Sequence, residues 1–326
     1  MKVALAGRWH VHADEYADAV FKNPDAEIKA VWDDDQKRAD EWGKIFSCNS
    51  YSDFEKMLSK EDIDGVVIAS QTSLHPRLML SAARNGKHIF TEKALAVRLS
   101  DALAIKQAVE KERIKFVISF PHKSRPCLIY AADAVKNGAL GRITYARVRN
   151  VHNGSTGGWL PEYFYDESLC GGGAMIDLGA HPMYTLLMLL GRPVFVQSLF
   201  TDITHRGVED NAVSIIEFEN GATGVSETGF VSAFNPYTLE ISGTDGYLAV
   251  HGDAVFEATS ATSGRLVQVN TLPEPEKLPI NKWIDWCNGK TGVPQGITID
   301  DAYSLTALTY ASYKAAKTGE KTYVAF

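Results

Sequence analysis

The chain has 326 residues, of which 45% are hydrophobic and 22% are charged, and its net charge is −7. Because this length exceeds the size at which one hydrophobic core stops growing, two domains are expected. The acidic balance argues against a nucleic-acid surface, which usually carries a basic stripe. No apolar run reaches the roughly 18 residues of a membrane span. Because neither a nucleic-acid surface nor a membrane span is indicated, a small molecule is the expected partner.

The four cysteines are scattered along the chain without any C-x-x-C spacing. This usage is typical of reduced thiols rather than of a zinc site or a disulfide framework. The first residues pass directly into a strand-like run and lack the features of a secretory signal. A cytoplasmic location is therefore expected.

Short apolar runs alternate with helical patterns along the first part of the chain. The predicted strands are residues 3–6, 28–32, 48–51, 65–69, 87–91 and 115–119. Strands that alternate with helices form parallel sheets with helices on both faces. We therefore expect a Rossmann-type parallel sheet and a dinucleotide-binding domain over residues 1–122.

A glycine turn and an acidic residue stand where such a domain binds its nucleotide. Gly7 ends the first strand, and Asp33 follows the second strand as a candidate for the adenosine ribose. A carboxylate there favours NAD over NADP, because it would repel the 2′-phosphate. Trp9 and His12 replace the later glycines of G-x-G-x-x-G. Either Arg8, Trp9 and helix N–H groups bind the phosphates in a wider turn, or the dinucleotide has been lost.

Polar residues also follow two later strands. Ser70 and His75 come after the fourth strand, and Glu92 and Lys93 come after the fifth. The carboxyl ends of parallel strands face the ligand crevice, so all four are candidate cofactor contacts. Lys93 is placed to meet a nicotinamide ring and a substrate hydroxyl. The alternative is a solvated loop charge.

A loop of glycines and aromatic residues opens the second part of the chain, after a strand-like run at residues 143–150. His152, Trp159 and Tyr163 in this loop combine stacking faces with polar tips, which suits a sugar. They could equally be ordinary loop anchors.

Three glycines at positions 171–173 precede an apolar pattern that predicts a helix to Leu190. On that helix Asp177 and His181 would be i and i+4 on one face. A carboxylate beside an imidazole can act as a proton-transfer pair. The alternative is a helical surface pair of little consequence.

Strand-like runs then follow one another with turn signals between them, at residues 194–202, 212–218, 223–230, 238–242 and 247–251. This order predicts a large, mostly antiparallel, open-faced sheet in an α+β domain over residues 123–326. The fold class is therefore α/β for the first domain and α+β for the second.

Several segments resemble the Gfo/Idh/MocA family of NAD(P)-dependent oxidoreductases. Residues 86–94 resemble its G-K-H-V-x-x-E-K-P motif, with Ala94 in place of proline, and residues 171–181 are similar to G-G-G-x-x-x-D-x-G-x-H. Residues 137–141 resemble its N-G-x-I-G link between domains. The position of a frequent arginine pair holds Pro121, His122 and Lys123, so that contact is not carried over, and His122 is a candidate substrate residue.

The resemblance implies hydride transfer between a nicotinamide cofactor and a hydroxyl-bearing carbon of a sugar, inositol or related polyol. It implies that Lys93, Asp177 and His181 form the catalytic group. His181 would take the hydroxyl proton, Asp177 would orient the imidazole, and Lys93 would donate to the same oxygen. A sheet face that pairs subunits in this family implies a homodimer or homotetramer.

Two other functions stay open at this point. One is a lyase or glycoside-cleaving enzyme that retains NAD, and the other is a non-catalytic regulator that senses a sugar or nucleotide. A metal site from Asp177, His181 and His75 lacks a recognisable ligand spacing, so no metal is expected.

Overall fold

The computed structural model describes residues 1–326. Its strands are β1 (Lys2–Ala6), β2 (Glu27–Trp32), β3 (Asn49–Tyr51), β4 (Gly65–Ile68), β5 (His88–Thr91), β6 (Phe116–Ile118), β7 (Ile143–Val151), β8 (Pro193–Thr201), β9 (Asn211–Phe218), β10 (Thr223–Gly229), β11 (Thr238–Gly243), β12 (Gly246–His251), β13 (Ala254–Thr259), β14 (Val267–Gln268) and β15 (Thr322–Tyr323). Its helices are α1 (Ala13–Phe21), α2 (Gln36–Phe46), α3 (Phe54–Lys60), α4 (His75–Arg84), α5 (Leu99–Lys111), α6 (Pro126–Lys136), α7 (Glu167–Cys170), α8 (Ala180–Leu190), α9 (Pro279–Cys287) and α10 (Ile299–Thr318). None of these helices combines the length and the hydropathy that a membrane crossing requires.

The first unit contains a six-stranded sheet in the order β3-β2-β1-β4-β5-β6. All neighbouring strands in it are parallel, which confirms the predicted Rossmann-type sheet. The central strands β1 and β4 are buried almost throughout, as expected for strands covered on both faces by helices. Because the chain leaves β1 in one direction across the sheet and returns to β4 on its other side, a crevice forms at the carboxyl ends of these two strands.

The chain separates into a unit of Met1–Phe120 with Lys277–Thr306 and a unit of Pro121–Glu276 with Ala307–Phe326. The prediction divided the chain at residue 122 and assigned everything later to the second domain, so it differs for Lys277–Thr306. This segment packs with the first unit because α9 carries Trp283, whose side chain is fully buried. The Trp283 indole donates to the Lys115 carbonyl oxygen at 3.1 Å and lies against the Phe90 ring.

The second unit contains a nine-stranded sheet in the order β14-β13-β12-β11-β7-β10-β9-β8-β15. Only β7 and β10 pair in parallel, which confirms a mostly antiparallel sheet. Helix α8 packs on β7 and β10 and covers one face. The strands β13 and β14 were not predicted, because the sequence of β13 lacks a period of two and β14 has only two residues.

Candidate functional site

The turn after β1 depends on a glycine. Gly7 has φ +90°, and a Cβ atom there would lie 2.6 Å from the Cα atom of Ser70. Its N–H donates to the Trp32 carbonyl oxygen at 2.8 Å. The missing side chain therefore lets the loops after β1, β2 and β4 approach closely at the carboxyl edge of the sheet.

Arg8, a predicted phosphate contact, forms an ion pair within the first unit. Its guanidinium donates twice to the Asp14 carboxylate, at 2.8 and 2.9 Å, in the first turn of α1. Its neighbour Trp9 is half-buried, with its ring tilted against that of His10. A role for these side chains at the phosphates stays a prediction.

The Asp33 carboxylate is buried at the end of β2. It accepts hydrogen bonds from the Arg8 N–H at 2.7 Å, from the Asp35 N–H at 2.9 Å and from Arg38 Nε at 2.9 Å. Burial raises the pKa of the Asp33 carboxyl, and the bonds from Arg38 and the backbone oppose this shift. Its contact with a ribose stays a prediction.

Arg38 was missed in the sequence. It lies in the first turn of α2 and also pairs with Asp34 at 2.7 Å. The Asp35 side chain caps α2 by accepting from the N–H groups of Lys37 and Arg38. An arginine shortly after an acidic triplet could have signalled this cluster.

Ser70 and His75, predicted as cofactor contacts, are both buried. The His75 ring nitrogens face two backbone carbonyl oxygens, Nδ1 that of Ala94 at 2.8 Å and Nε2 that of Ser70 at 3.2 Å. Burial lowers the pKa of His75, and the carbonyl groups oppose that shift. His75 thus ties the loops after β4 and β5 together, and its contact with a cofactor stays a prediction.

Lys93 and Glu92 follow β5 and are 6% and 2% exposed. The alternative of a solvated loop charge at Lys93 is therefore wrong. The Glu92 carboxylate lies 3.8 Å from the Lys93 ammonium and 4.0 Å from His10 Nε2, and it accepts a hydrogen bond from the Tyr16 phenol. The first unit thus places a buried lysine and a buried carboxylate at the carboxyl edge of its sheet.

The glycine segment, residues 171–179, differs from the prediction. Helix α8 begins only at Ala180, so Asp177 lies in the preceding turn and does not share a helix with His181. Gly172 has φ +156°, which a helix does not allow, and the Gly179 N–H bonds to the Ala174 carbonyl oxygen. The inference that both side chains share one helical face is wrong for this reason.

His181 lies in the first turn of α8 and is 7% exposed. Its Nδ1 is 2.8 Å from the phenol oxygen of Tyr184, which also accepts the His122 N–H at 3.2 Å. The His122 ring stacks on the His181 ring at 4.2 Å with an interplanar angle of 20°. The structure therefore brings the predicted residues His122 and His181 together. Tyr184 was missed, although its i+3 spacing from His181 was a usable signal.

The aromatic loop keeps its three candidates near one another. The His152 ring stacks on Phe230 at 4.9 Å and lies 4.7 Å from the Trp159 ring. Trp159 is 55% exposed and donates to Asn153 Oδ1, whereas Tyr163 is half-buried against Phe164. An exposed indole beside a polar ring can stack on a sugar, and this role stays a prediction.

Two family models match the chain. Residues 1–120 match the oxidoreductase family with an NAD-binding Rossmann fold, and residues 128–249 match the GFO/IDH/MocA C-terminal domain. The chain belongs to the GFO/IDH/MocA family. The matched ranges include Lys93 in the NAD-binding part, and Asp177 and His181 in the C-terminal part.

Several relatives of this chain are named as dehydrogenases. A levoglucosan dehydrogenase from Pseudarthrobacter phenanthrenivorans is 29% identical over 61% of this chain, and the match spans 58% of that enzyme's length. An NADP-dependent D-xylose 1-dehydrogenase from Haloferax volcanii is 26% identical over 95% of this chain and 92% of its own. These relatives give no support to the lyase and regulator alternatives.

The fold of the whole chain also occurs in solved structures. An NAD-binding oxidoreductase from Klebsiella pneumoniae superimposes with a TM-score of 0.85 and 20% identity, covering 100% of this chain and 99% of that one. At this identity the likeness shows that the two chains share a fold.

Proposed function

We propose that this protein is a dehydrogenase that transfers a hydride between a nicotinamide cofactor and a hydroxyl-bearing carbon of a sugar, inositol or related polyol. The observation that carries the proposal is the family's motif lysine, buried at the carboxyl end of β5 beside Glu92. The names of the relatives, dehydrogenases of levoglucosan and D-xylose, support the substrate class.

Hydride can leave a carbinol carbon only as the hydroxyl proton departs, so the reaction needs a base at that oxygen. We assign this role to His181. When His181 Nδ1 donates to the Tyr184 oxygen, the free lone pair of the neutral ring lies on Nε2. In this tautomer Nε2 can accept a proton from the substrate. We assign Asp177 to the orientation of the ring and the stabilisation of its charged form.

We assign Lys93 to the same hydroxyl as a hydrogen-bond donor. An ammonium group near that oxygen stabilises the negative charge that develops as the proton leaves. Glu92 lies close enough to keep a buried ammonium charged, because an opposite charge within about 4–6 Å favours the ionised form. The cofactor supplies the hydride acceptor when it is bound.

We propose NAD as the cofactor rather than NADP. Arg38 forms ion pairs with Asp33, Asp34 and Asp35, at 2.7, 2.7 and 3.7 Å. Three carboxylates neutralise that guanidinium and would repel a 2′-phosphate.

We propose that the protein works in the cytoplasm as a homodimer or homotetramer. All four cysteines are free thiols, which suits a reducing compartment. Leu199 on β8 and Ile215 on β9 are 70% and 54% exposed, and a second copy would cover them. Light scattering of the purified protein measures the subunit count, and a monomer at micromolar concentration would contradict this proposal.

The test of the activity is a panel of sugars and polyols incubated with NAD or NADP, with formation of the reduced nucleotide as the readout. We expect reduced nucleotide with NAD and at least one member of the panel, and none with Lys93→Met. Failure of NAD to bind in calorimetry would refute the proposal.

A further inference from the structure

Four successive N–H groups of the glycine segment point to only two residues of other elements. The Gly173 and Met175 N–H groups donate to the Glu209 carboxylate at 3.0 and 2.9 Å. The Ala174 N–H donates to the Glu209 carbonyl oxygen at 2.8 Å, and the Ile176 N–H donates to the Tyr313 phenol oxygen at 3.3 Å. Consecutive N–H groups that converge in this way form a concave anion site, and here the anion is a side chain of the same protein.

The two partners also bind each other. The Tyr313 phenol on α10 donates to Glu209 Oε1 at 2.5 Å. Burial raises the pKa of Tyr313 well above its usual value, and the Glu209 charge adds to this shift, so the phenol stays a donor throughout the neutral range. Burial also raises the pKa of Glu209, while the phenol and the backbone N–H groups oppose that shift.

The glycines fit these partners without spare room. A Cβ atom on Gly172 would lie 2.0 Å from the Tyr313 phenol oxygen, and one on Gly173 would lie 2.1 Å from the Glu209 carbonyl oxygen. The absence of side chains at these positions is therefore what lets the backbone reach Glu209 and Tyr313.

The anchored residues lead directly into the proposed proton-transfer residues. Asp177 follows Ile176, and its N–H donates back to the Gly173 carbonyl oxygen at 3.2 Å. Three residues after Asp177 the chain enters α8, which carries His181. The position of Gly173 relative to Glu209 thus determines where Asp177 stands and where α8 begins.

We propose that Glu209 and Tyr313 are positioning residues for proton transfer, because they hold the turn that presents Asp177 and the start of the His181 helix. The inference rests on the proposed dehydrogenase function. A misplacement of about 1 Å can lower the rate of an enzyme by roughly 100-fold, so a lost anchor reaches the chemistry without touching the substrate.

The chain offers a matched control for each partner. Asp210, next to Glu209, is also a buried carboxylate, but it accepts from the N–H groups of Ile203 and Thr204 and so holds a different turn. Tyr130 donates to Glu257 at 2.8 Å in the same unit, away from the glycine segment. Asp210→Ala and Tyr130→Phe therefore remove equivalent bonds elsewhere.

The experiment measures kcat, KM for NAD and amide hydrogen exchange of residues 173–176 in Glu209→Ala, Tyr313→Phe and the two controls. We expect kcat to fall roughly 10- to 100-fold in Glu209→Ala and less in Tyr313→Phe, with KM for NAD within about twofold of the wild type. Exchange of residues 173–176 becomes faster in these two variants only. Glu209→Gln restores most of kcat, since an amide oxygen accepts the same N–H bonds.

Three results would overturn the inference. Unchanged exchange of residues 173–176 in Glu209→Ala would show that Glu209 does not hold the turn. Faster exchange with an unchanged kcat would show that the turn is held but does not affect the reaction. An equal loss of kcat in Asp210→Ala would reduce the effect to general destabilisation. If Glu209→Ala does not fold, the same comparison of hydrogen exchange and kcat is made between Tyr313→Phe and its control Tyr130→Phe. A wild-type protein inactive on every sugar and polyol would instead refute the proposed function, and the exchange data would still decide whether the anchor exists.

Discussion

The two halves of the proposed catalytic group are held by different kinds of structure. Lys93 follows a strand whose hydrogen bonds to β4 and β6 fix its backbone. Asp177 lies in a turn whose N–H groups bond to Glu209 and Tyr313, far away in the sequence. A sheet edge thus positions its functional groups through regular pairing, whereas the turn depends on a few individual side chains. Substitutions should therefore have local effects on the first half and propagating effects on the second.

The largest effects are expected from substitution of Lys93 and His181, the proposed hydrogen-bond donor and the proposed base. Lys93→Met and His181→Ala should each lower kcat by roughly 10²- to 10⁴-fold, which is the usual contribution of a positioned acid or base. Steady-state kinetics measures this loss, and circular dichroism controls for an intact fold. Full activity in either variant would remove that residue from the mechanism.

The next effect tests the turn. Gly173→Ala should lower kcat more than tenfold and destabilise the protein by about 1–3 kcal/mol, because its Cβ would collide with the Glu209 carbonyl oxygen. Gly207→Ala is the control, since Gly207 also lies in the second unit, has φ +87° and has open space around its missing Cβ. We expect Gly207→Ala to cost only about 1 kcal/mol and to leave kcat unchanged. Equal loss of kcat in both variants would show that the loss at residue 173 does not depend on its contact with Glu209.

A smaller effect tests the strand side. Asp33→Asn should weaken NAD binding by about tenfold and leave kcat almost unchanged, because it removes a charge that accepts bonds from Arg8 and Arg38. Asp34→Asn should have a weaker effect, since the Asp34 side chain is 39% exposed. Calorimetry with NAD measures both, and a stronger effect at Asp34 would reverse the assignment of the ribose residue.

The smallest effect concerns the partner of His181. Tyr184→Phe removes one hydrogen bond at Nδ1, worth about 1 kcal/mol, and should lower kcat roughly fivefold. The pH dependence of kcat would shift with it if the phenol helps to set the state of the imidazole. An unchanged kcat and pH profile would leave the phenol a packing role only.

The same contrast explains what the sequence could predict. The position of Lys93 at the sheet edge could be predicted from the apolar pattern of the strand before it. Buried parallel strands have a clear apolar pattern, and their carboxyl ends lie at one edge of the sheet. The start of α8 at Ala180 could not be predicted, because the apolar residues between the three glycines and Ala180 already have a helical spacing. What prevents a helix there is the bonding of N–H groups to Glu209, 36 residues away from Gly173. Local patterns contain no information about such a partner.

The return of Lys277–Thr306 to the first unit has a similar cause. The buried Trp283 packs against Phe90, and the sequence of α9 alone does not indicate this contact. The motif residues, by contrast, were found at their positions because their types and spacing are those of the family.

The most direct test of the central claim is deuterium transfer from a substrate labelled at its carbinol carbon, once the panel has identified one. This mechanism predicts that the wild type transfers the label to C4 of the nicotinamide, and that Lys93→Met and His181→Ala bind NAD with wild-type affinity but transfer the label roughly 10²- to 10⁴-fold more slowly. Transfer at the wild-type rate in either variant, or oxidation without label on the nicotinamide, would contradict it.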